Sequence, residues 1–213
     1  MKRILLFLLI SSGILIGAQS LSDKEFQAKI SEIEKAKNAE SIGSLITYFE
    51  DPAQDVSQWQ PAYYATYAGL KQAQIYLRNN NTVAASNSIK SAERNFQSIS
   101  HLIPANSEIR VLKAYINILK ISANGKNEQL IKEAKQMLYL KQNIDPNNPR
   151  MELMRAELSY ALGHHLAGKD LNTQFQNAEA ALKKFQPKSS IDPNWGLADA
   201  AYYKAKLNSK TAK

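Results

Sequence analysis

Apolar residues recur at steps of three and four positions along most of the chain. The longest such stripe runs through Ala85, Ile89, Ala92, Phe96, Ile99 and Ile103, and similar stripes begin at Phe26, Ile109 and Phe175. This spacing places the apolar side chains on one face of an α-helix. No comparable run of strict alternation predicts a strand, so we expect an all-α fold.

Turn-forming residues divide these stripes into about nine helices with short connections. Asn, Gly and Pro residues end helices and initiate turns, because Pro cannot continue a helix and Asn and Gly tolerate turn backbone conformations. The breaks fall at Asp51-Pro52, Asn79 to Asn81, Pro104, Asn124-Gly125, Asp145 to Pro149, Gly168, and Pro187 to Pro193. Antiparallel neighbouring helices are therefore expected.

An internal repeat organises the predicted helices. The tetrapeptide Ile-Asp-Pro-Asn occurs at residues 144–147 and again at residues 191–194. Three gap-free matches to the pattern Ala-x3-(Phe/Leu)-x7-Pro have Pro-to-Pro periods of 42 and 47 residues. The matches are Ala92, Phe96 and Pro104; Ala134, Leu138 and Pro146; and Ala181, Phe185 and Pro193. The Ala would allow close helix approach, the larger residue would fill the gap between helices, and the Pro would end the pair.

The repeat resembles the second helix and closing turn of tetratricopeptide repeats, in which a small residue, an aromatic residue and a proline hold these places. Ala114 and Ala156 supply the small residue expected ten positions after the first two prolines, whereas Tyr203 departs from it. The predicted architecture is a tetratricopeptide-like α-solenoid of stacked helix pairs. It comprises an N-terminal pair at residues 22–50, three irregular repeats at 53–193 and a capping helix at 194–208.

The first 18 residues have the layout of a secretory signal peptide. Lys2 and Arg3 precede an apolar stretch from Ile4 to Ile16, which is shorter than the roughly 20 residues that span a bilayer, and Ala18 offers a cleavage site. The alternative is an uncleaved membrane anchor. We expect an exported, periplasmic protein that begins at Gln19 and has no later membrane span, and the absence of Cys excludes attachment through a lipidated cysteine.

Charge adds one candidate surface. The chain carries 27 Lys and Arg against 19 Asp and Glu, a net charge of +8, and loss of Lys2 and Arg3 would leave +6. A solvated face explains most lysines, but a basic body is also attracted to anionic surfaces. An acidic envelope polymer or protein is therefore a possible partner, whereas nucleic acid is not expected for an exported protein.

Four blocks along the chain resemble a family of exported tetratricopeptide-like proteins of Bacteroidetes. The blocks are residues 59–64, 106–109, 145–150, and 187–190 together with 193–196. The resemblance covers roughly residues 22–208 and implies no enzyme chemistry. The family often has a longer Gly-rich and aromatic insertion after the helix that starts near Arg150. Here residues 163–169 are short, so a function that depends on the insertion is in doubt.

Seven aromatic residues are the foremost candidates for a binding surface. They are Trp59, Tyr63, Tyr64, Tyr67, Trp195, Tyr202 and Tyr203. Their repeat-related spacing favours packing between helices. The functional alternative is that some of their hydroxyl groups line a concave groove that takes a peptide or glycan, since tandem helix pairs present such grooves.

Other polar residues are assigned structural roles. Adjacent His164 and His165 point to different helix faces, so with Asp170 they make a poor metal site. Asp145 and Asp192 precede turn prolines and are predicted to cap backbone amides. Two carboxylate pairs have spacings typical of solvated faces, namely Glu32 with Glu34 and Glu152 with Glu157. No catalytic or phosphate-binding motif is present in the sequence, and no cofactor is predicted.

These features favour a non-enzymatic periplasmic interaction or scaffold protein, whose partner would be another envelope protein or a peptide. Fold analogy alone supports that function. A carrier of a small ligand is the first alternative and would need an enclosed apolar cavity, whereas a scaffold would present an open groove. A hydrolase acting on envelope polymers is the second, and would need a buried carboxyl group with a perturbed pKa in a large pocket.

Overall fold

The computed structural model describes residues 24–51, 58–139, 145, 147–163 and 169–211. This part of the chain forms nine α-helices and no strand, which confirms the all-α prediction. Residues 24–35 form α1, and the other helices are α2 Glu40–Glu50, α3 Gln60–Arg78, α4 Thr82–Gln97, α5 Ser107–Asn124, α6 Glu128–Tyr139, α7 Pro149–Ala161, α8 Lys169–Lys184 and α9 Leu197–Thr211. A single 3-10 turn, Ser100–Leu102, follows α4. The predicted signal peptide, His164 and His165 lie outside the described residues.

Asparagine side chains fix where three helices begin. The Oδ1 atoms of Asn81, Asn106 and Asn148 accept hydrogen bonds from backbone amides in the first turns of α4, α5 and α7. Such caps satisfy amide groups that have no partner within the helix. Asn106 and Asn148 cap the first helices of successive pairs, so the repeat in the sequence corresponds to a repeated capping arrangement.

Consecutive helices pack in pairs, and the pairs stack. The contacts are extensive within α3 and α4, α5 and α6, and α7 and α8. The first helices of these pairs also contact one another, α3 with α5 and α5 with α7. We call the surface formed by α3, α5 and α7 the inner face. This helical-repeat arrangement agrees with the predicted architecture.

Small residues allow the closest crossing, between α3 and α4. A Cβ atom added to Gly69 would lie 3.0 Å from the Cβ atom of Ala92, so the two backbones approach closely there. Of the eight residues assigned to repeat packing, six are buried, namely Ala92, Phe96, Ala114, Ala134, Leu138 and Ala156. The remaining two, Ala181 and Phe185, are half-buried. They belong to the last pair, beyond which only α9 follows.

The last described helix, α9, packs against α8. Between α8 and α9 the chain has no regular helix, and this connection crosses the inner face. We call residues 185–203 the C-terminal strap; they comprise this connection and the first half of α9. Among the described helices, none has both the length and the apolar character that a bilayer-spanning segment requires.

Candidate functional site

Trp195 of the C-terminal strap occupies the middle of the inner face. Its indole stacks on Tyr67 with ring centroids 4.4 Å apart and also lies 6.0 Å from the ring of Tyr115. The indole Nε1 donates a hydrogen bond to the hydroxyl group of Tyr63 at 2.8 Å. Only 1% of Trp195 is exposed, so the indole is both packed and hydrogen-bonded within the inner face.

Further hydrogen bonds hold the strap on either side of Trp195. The Tyr64 hydroxyl group donates to the Ile191 carbonyl oxygen at 3.1 Å, and Gln60 donates to Asp192 at 3.4 Å. On the other side, the Gly196 amide donates to Glu34 of α1 at 3.5 Å. The inner face therefore binds both the backbone and the side chains of the strap.

The backbone conformation of Gly196 favours glycine. Its φ angle is +108°, which L side chains rarely adopt. A Cβ atom at this position would lie 2.7 Å from Leu153 Cδ2, so the end of the leucine side chain would also have to shift. A substitution after Trp195 would therefore strain the backbone.

The position of the strap determines how far the seven predicted aromatic residues are buried. Four of them lie in the core rather than along an open groove, because the strap covers the inner face: Tyr63, Tyr64, Tyr67 and Trp195. For these four, packing between helices and against the strap describes the environment. Their part in binding a partner stays a prediction. The other three are half-buried: Trp59 lines one cavity at the inner face, and Tyr202 and Tyr203 line another.

The larger cavity, about 540 Å³, lies where α5 and α7 begin, and we call it the N-end cavity. Its walls include Trp59, Asn106, Ser107, Glu108, Arg150, Phe185, Asp192 and Pro193. Arg150 binds Glu108 through two hydrogen bonds, Nε to Oε2 at 2.8 Å and Nη2 to Oε1 at 2.5 Å. This two-point geometry is the strong form of an ion pair.

Neighbouring groups complete the hydrogen bonding of Glu108. Asn148 donates to Glu108 Oε1 at 2.6 Å, and Tyr63 donates to Oε2 at 3.2 Å. The Arg150 guanidinium lies 4.5 Å from the ring centroid of Phe185, and its Nη1 atom has no hydrogen-bond partner among the described residues. Burial alone would lower the pKa of Arg150, but the Glu108 carboxylate more than offsets this and raises it, so Arg150 stays charged.

The smaller cavity, about 240 Å³, lies where α3, α5 and α7 end, and we call it the C-end cavity. It is lined by Gln74, Leu77, Arg78, Asn80, Thr82, Leu119, Ser122, Glu157, Tyr160, Tyr202, Tyr203 and Lys206. Next to it, the Asp199 carboxylate accepts hydrogen bonds from Lys71 at 2.7 and 2.8 Å and from Arg78 at 2.9 Å. Burial would raise the pKa of Asp199, but these two cations lower it, so Asp199 is a buried carboxylate.

Glu157 also lines the C-end cavity, but unlike Asp199 its carboxyl group accepts no hydrogen bond from the described residues. It is 1% exposed, and neither of its carboxyl oxygens has a hydrogen-bond partner among the described residues. Burial, assisted by the negative charge of Asp199, raises the pKa of Glu157 well above its ordinary value. Glu157 therefore favours the protonated form.

Two more side chains that line this cavity also have buried polar atoms without a hydrogen-bond partner. Both amide atoms of Gln74 and the Nε of Arg78 are buried, and within the described structure they have no hydrogen-bond partner. Gln74, Arg78 and Glu157 all line this cavity, and together they hold five buried polar atoms without a hydrogen-bond partner among the described residues. Buried polar groups in proteins are nearly always hydrogen-bonded, so a cluster of exceptions requires an explanation.

Sequence reasoning missed this cluster because it assigned Glu157 to a solvated face. That prediction is wrong: α7 is buried on almost every side, since α5, α8 and the strap surround it. Glu34 was also assigned to a solvated face, but burial raises its pKa and the Tyr67 hydroxyl group donates to it. The useful signal in the sequence was the weak segregation of apolar and polar residues along α7, which is typical of an enclosed helix.

The predictions for the turn aspartates are confirmed. Asp145 accepts a hydrogen bond from the Asn147 amide at 3.2 Å, and Asp192 accepts one from the Ser189 amide at 3.0 Å. Both carboxylates therefore cap backbone amides, and both are engaged in these structural hydrogen bonds. Within the described ranges, no group of three or more potential ligand side chains is placed to hold a metal ion.

Comparison with known proteins finds no match to a family profile, to a curated protein or to a solved structure. The resemblance to exported tetratricopeptide-like proteins of Bacteroidetes therefore remains a prediction from the sequence. The residues themselves carry the functional argument.

Proposed function

We propose that this chain is a non-enzymatic interaction protein of the bacterial envelope, and that its inner face binds a non-helical segment of a partner protein. One observation carries the proposal: the inner face already binds a non-helical segment, residues 191–196 of the chain's own strap. The strap is thus an internal ligand that a partner segment of similar chemistry would replace.

The contacts define what such a segment would need. The inner face offers a Tyr64 hydroxyl group for a backbone carbonyl and a slot between Tyr67 and Tyr115 for a flat aromatic side chain. Tyr63 at the edge of this slot accepts the indole N–H. A non-helical partner segment with a tryptophan followed by a glycine would make the same contacts. Tandem helix pairs commonly bind partners on the corresponding surface.

The proposed location is the periplasm. It is supported by the charged start, short apolar stretch and small-residue site of the first 18 residues, which are typical of an exported chain. The partner would then be another envelope protein. The net positive charge would favour a partner segment, or a neighbouring surface, that is acidic.

A peptide exchange experiment tests the proposal. The full chain with Trp195→Ala is titrated with a synthetic peptide of residues 187–198 and with the same peptide carrying Ala for Trp. We expect saturable binding of the first peptide and a rise in the melting temperature of the variant, because a ligand that binds only the folded state stabilises it. The wild-type chain, whose own strap fills the slot, should bind the peptide more weakly.

Failure of both peptides to bind a folded Trp195→Ala chain, as judged by circular dichroism, would contradict the proposal, as would equal binding of both. Should that variant not fold, Trp195→Phe keeps a smaller ring in the slot and serves the same comparison. Binding of the tryptophan peptide but not of the alanine peptide would establish that the inner face recognises the strap sequence specifically.

The small-ligand alternative has an observation of its own, the five buried polar atoms around the C-end cavity. The lining of that cavity mixes polar and apolar residues, whereas a carrier was expected to need an apolar one. Glu157 has the burial and raised pKa that catalytic acids share. It is nevertheless one group, and Asp199 beside it is engaged by two cations, so we propose binding rather than catalysis at this end.

A further inference from the structure

We propose that the C-end cavity binds a small organic anion, in which a carboxylate group is carried on a short apolar body. Arg78 of α3 and Lys206 of α9 would hold the carboxylate, and the leucine and tyrosine side chains of the wall would contact the apolar body. The inference names a ligand class for the binding proposed at this end of the inner face. It does not rest on the partner-binding function, which depends on the slot around Trp195.

The side chains that stay ionised along the cavity are cations. Arg78 and Lys206 line it, whereas the carboxyl group of Glu157 favours the protonated form because burial raises its pKa. Asp199 lies next to the cavity, and its carboxylate is shared between Arg78 and the buried Lys71. The cavity therefore presents positive charge that its surroundings only partly neutralise, and positive charge attracts an anion.

Lys206 is the less neutralised of the two cations. In the part of the chain that the structure describes, no carboxylate forms an ion pair with it. Its ammonium nitrogen lies 5.5 Å from the ring centroid of Tyr160 and 5.6 Å from that of Tyr202. Burial lowers the pKa of Lys206, but hydrogen bonds with these two tyrosine side chains more than offset this and raise it. Lys206 is therefore a protonated cation that tyrosines, rather than an acid, hold in position.

The ring of Tyr202 brings the second cation to the same place. The Arg78 guanidinium carbon lies 3.7 Å from the Tyr202 ring centroid, so both cations lie beside one ring. Both also keep accessible surface, since the Arg78 side chain is 24% exposed and Lys206 is half-buried. Two cations brought together in a partly buried site repel each other. A carboxylate between them would offset that repulsion and accept charge-assisted hydrogen bonds, which are stronger than neutral ones.

The size and walls of the cavity define the rest of the ligand. Its volume of about 240 Å³ is below the roughly 300–1,000 Å³ of pockets for drug-sized molecules, so the ligand is small. Leu77, Leu119 and the tyrosine rings form apolar parts of the wall. Positive charge alone would attract any anion, including phosphate, but these walls favour an anion that buries a hydrocarbon body against them.

Matched acids and amides test the proposal on the full chain. Isothermal titration calorimetry at about pH 6, where carboxylic acids are ionised, would compare benzoate and butyrate with benzamide and butyramide. Each amide has nearly the shape of its acid without the charge. We expect saturable binding of at least one acid, and at least about tenfold weaker binding of its amide. Acetate and inorganic phosphate, which lack the apolar body, should also bind at least about tenfold more weakly than that acid.

The variant Lys206→Met links the binding to the cavity. It keeps an unbranched apolar side chain but removes the ammonium group, so the acid should bind at least about tenfold more weakly, as expected for a lost charge-assisted hydrogen bond. The matched control is Lys204→Met, which removes the same charge from the same helix. Lys204 pairs with Glu179 and does not line the cavity, so this control should bind the acid as the wild type does. Circular dichroism checks that both variants fold, and Lys206→Gln replaces Lys206→Met if the latter does not.

Three outcomes would overturn the proposal. The first is that neither acid binds the folded wild-type chain. The second is that an amide or phosphate binds as tightly as the better acid, because the site would then not require a carboxylate on an apolar body. The third is that Lys206→Met binds the acid as tightly as Lys204→Met, which would place the acid elsewhere. None of these results involves Trp195, so the peptide exchange experiment succeeds or fails independently.

Discussion

The two ends of the inner face bury carboxyl groups in opposite ways. At the N-end cavity, Glu108 is completely satisfied: each of its oxygens accepts one hydrogen bond from Arg150 and one from a second neighbour. At the C-end cavity, Asp199 is satisfied by two cations, but Glu157 has no hydrogen-bond partner in the part of the chain that the structure describes. The buried carboxyl group at one end is fully paired, although the Nη1 atom of Arg150 beside it has no hydrogen-bond partner among the described residues, whereas Glu157 at the other end is unpaired.

This difference separates a stabilising carboxyl group from one that stabilises little. A buried ion pair whose carboxylate is fully hydrogen-bonded fixes the position of the helices that carry it, and its removal is felt as a loss of stability. A buried carboxyl group without a partner contributes nothing comparable to stability. We therefore expect the N-end residues and Asp199 to matter for folding stability, and Glu157 to matter far less.

The largest effect is expected for Asp199→Ala. It leaves Lys71 buried without its carboxylate and removes the partner of Arg78, so the free energy of unfolding should fall by about 3–5 kcal/mol. Urea denaturation followed by circular dichroism measures this. The exposed carboxylate variant Glu40→Ala is the control and should change stability by less than about 1 kcal/mol. A change for Asp199→Ala as small as that of the control would show that the cluster is not structural.

A smaller loss is expected for Arg150→Met at the other end. The Glu108 side chain is 13% exposed and keeps its hydrogen bonds from Asn148 and Tyr63, so the free energy of unfolding should fall by about 2–3 kcal/mol. Arg150→Lys should not restore stability, because an ammonium group cannot reproduce the two-point contact. Full stability of the lysine variant, measured in the same denaturation experiment, would refute the importance of that geometry.

Glu157→Gln should change how stability depends on pH. The folded state raises the pKa of Glu157 above its ordinary value of 4.5, so its favourable contribution is complete below about pH 4.5 and is lost as pH rises through the raised pKa. The wild type should therefore lose stability relative to Glu157→Gln as pH rises, by at most about 1.4 kcal/mol per pH unit. Urea denaturation of both proteins from about pH 4.5 to about pH 8 measures the difference, and a constant difference would contradict a raised pKa.

The smallest effect is expected for a half-buried ion pair, Lys204 with Glu179, that joins α8 to α9. Hydrogen bonds from Lys183 and Lys204 lower the pKa of Glu179 to about 2, so its contribution is present above pH 4.5 and disappears as pH falls toward 2. Lys204→Met should lower the unfolding free energy by less than about 1 kcal/mol, and added salt should reduce the loss further. Lys90→Met on the exposed face of α4 is the control; a loss several times larger than this control would show that α9 depends on surface charge.

Local structure can be predicted well from the sequence because the spacing of apolar residues shows which face of each helix is buried. Ala92 and Phe96 mark the buried face of α4, and the structure buries both. The repeat also predicts small residues at helix crossings, as seen at Ala114 and Ala156. Tyr203 departs from this pattern. Its ring instead stacks on Phe175 with centroids 4.9 Å apart.

The candidate sites could not be predicted in the same way because they depend on contacts between distant parts of the chain. Lys71 and Asp199 are 128 positions apart, and each lies at an ordinary helix position. Glu157 resembles any exposed glutamate until the surrounding helices are placed. Spacing along one helix cannot reveal that a distant segment returns to cover it, so both the filled inner face and the unpaired polar atoms required the structure.

The return of the strap also changes how the molecule should unfold. In an open array, each helix pair contacts only its neighbours, so the ends can unravel while the middle stays folded. Here Gly196 binds Glu34, 162 positions earlier, and Trp195 packs among side chains of α3 and α5. The first and last helices are thereby tied into one cooperative unit. We expect a single sharp unfolding transition, and slow folding relative to an open array of the same length, because the closing contacts join residues that are far apart in the sequence.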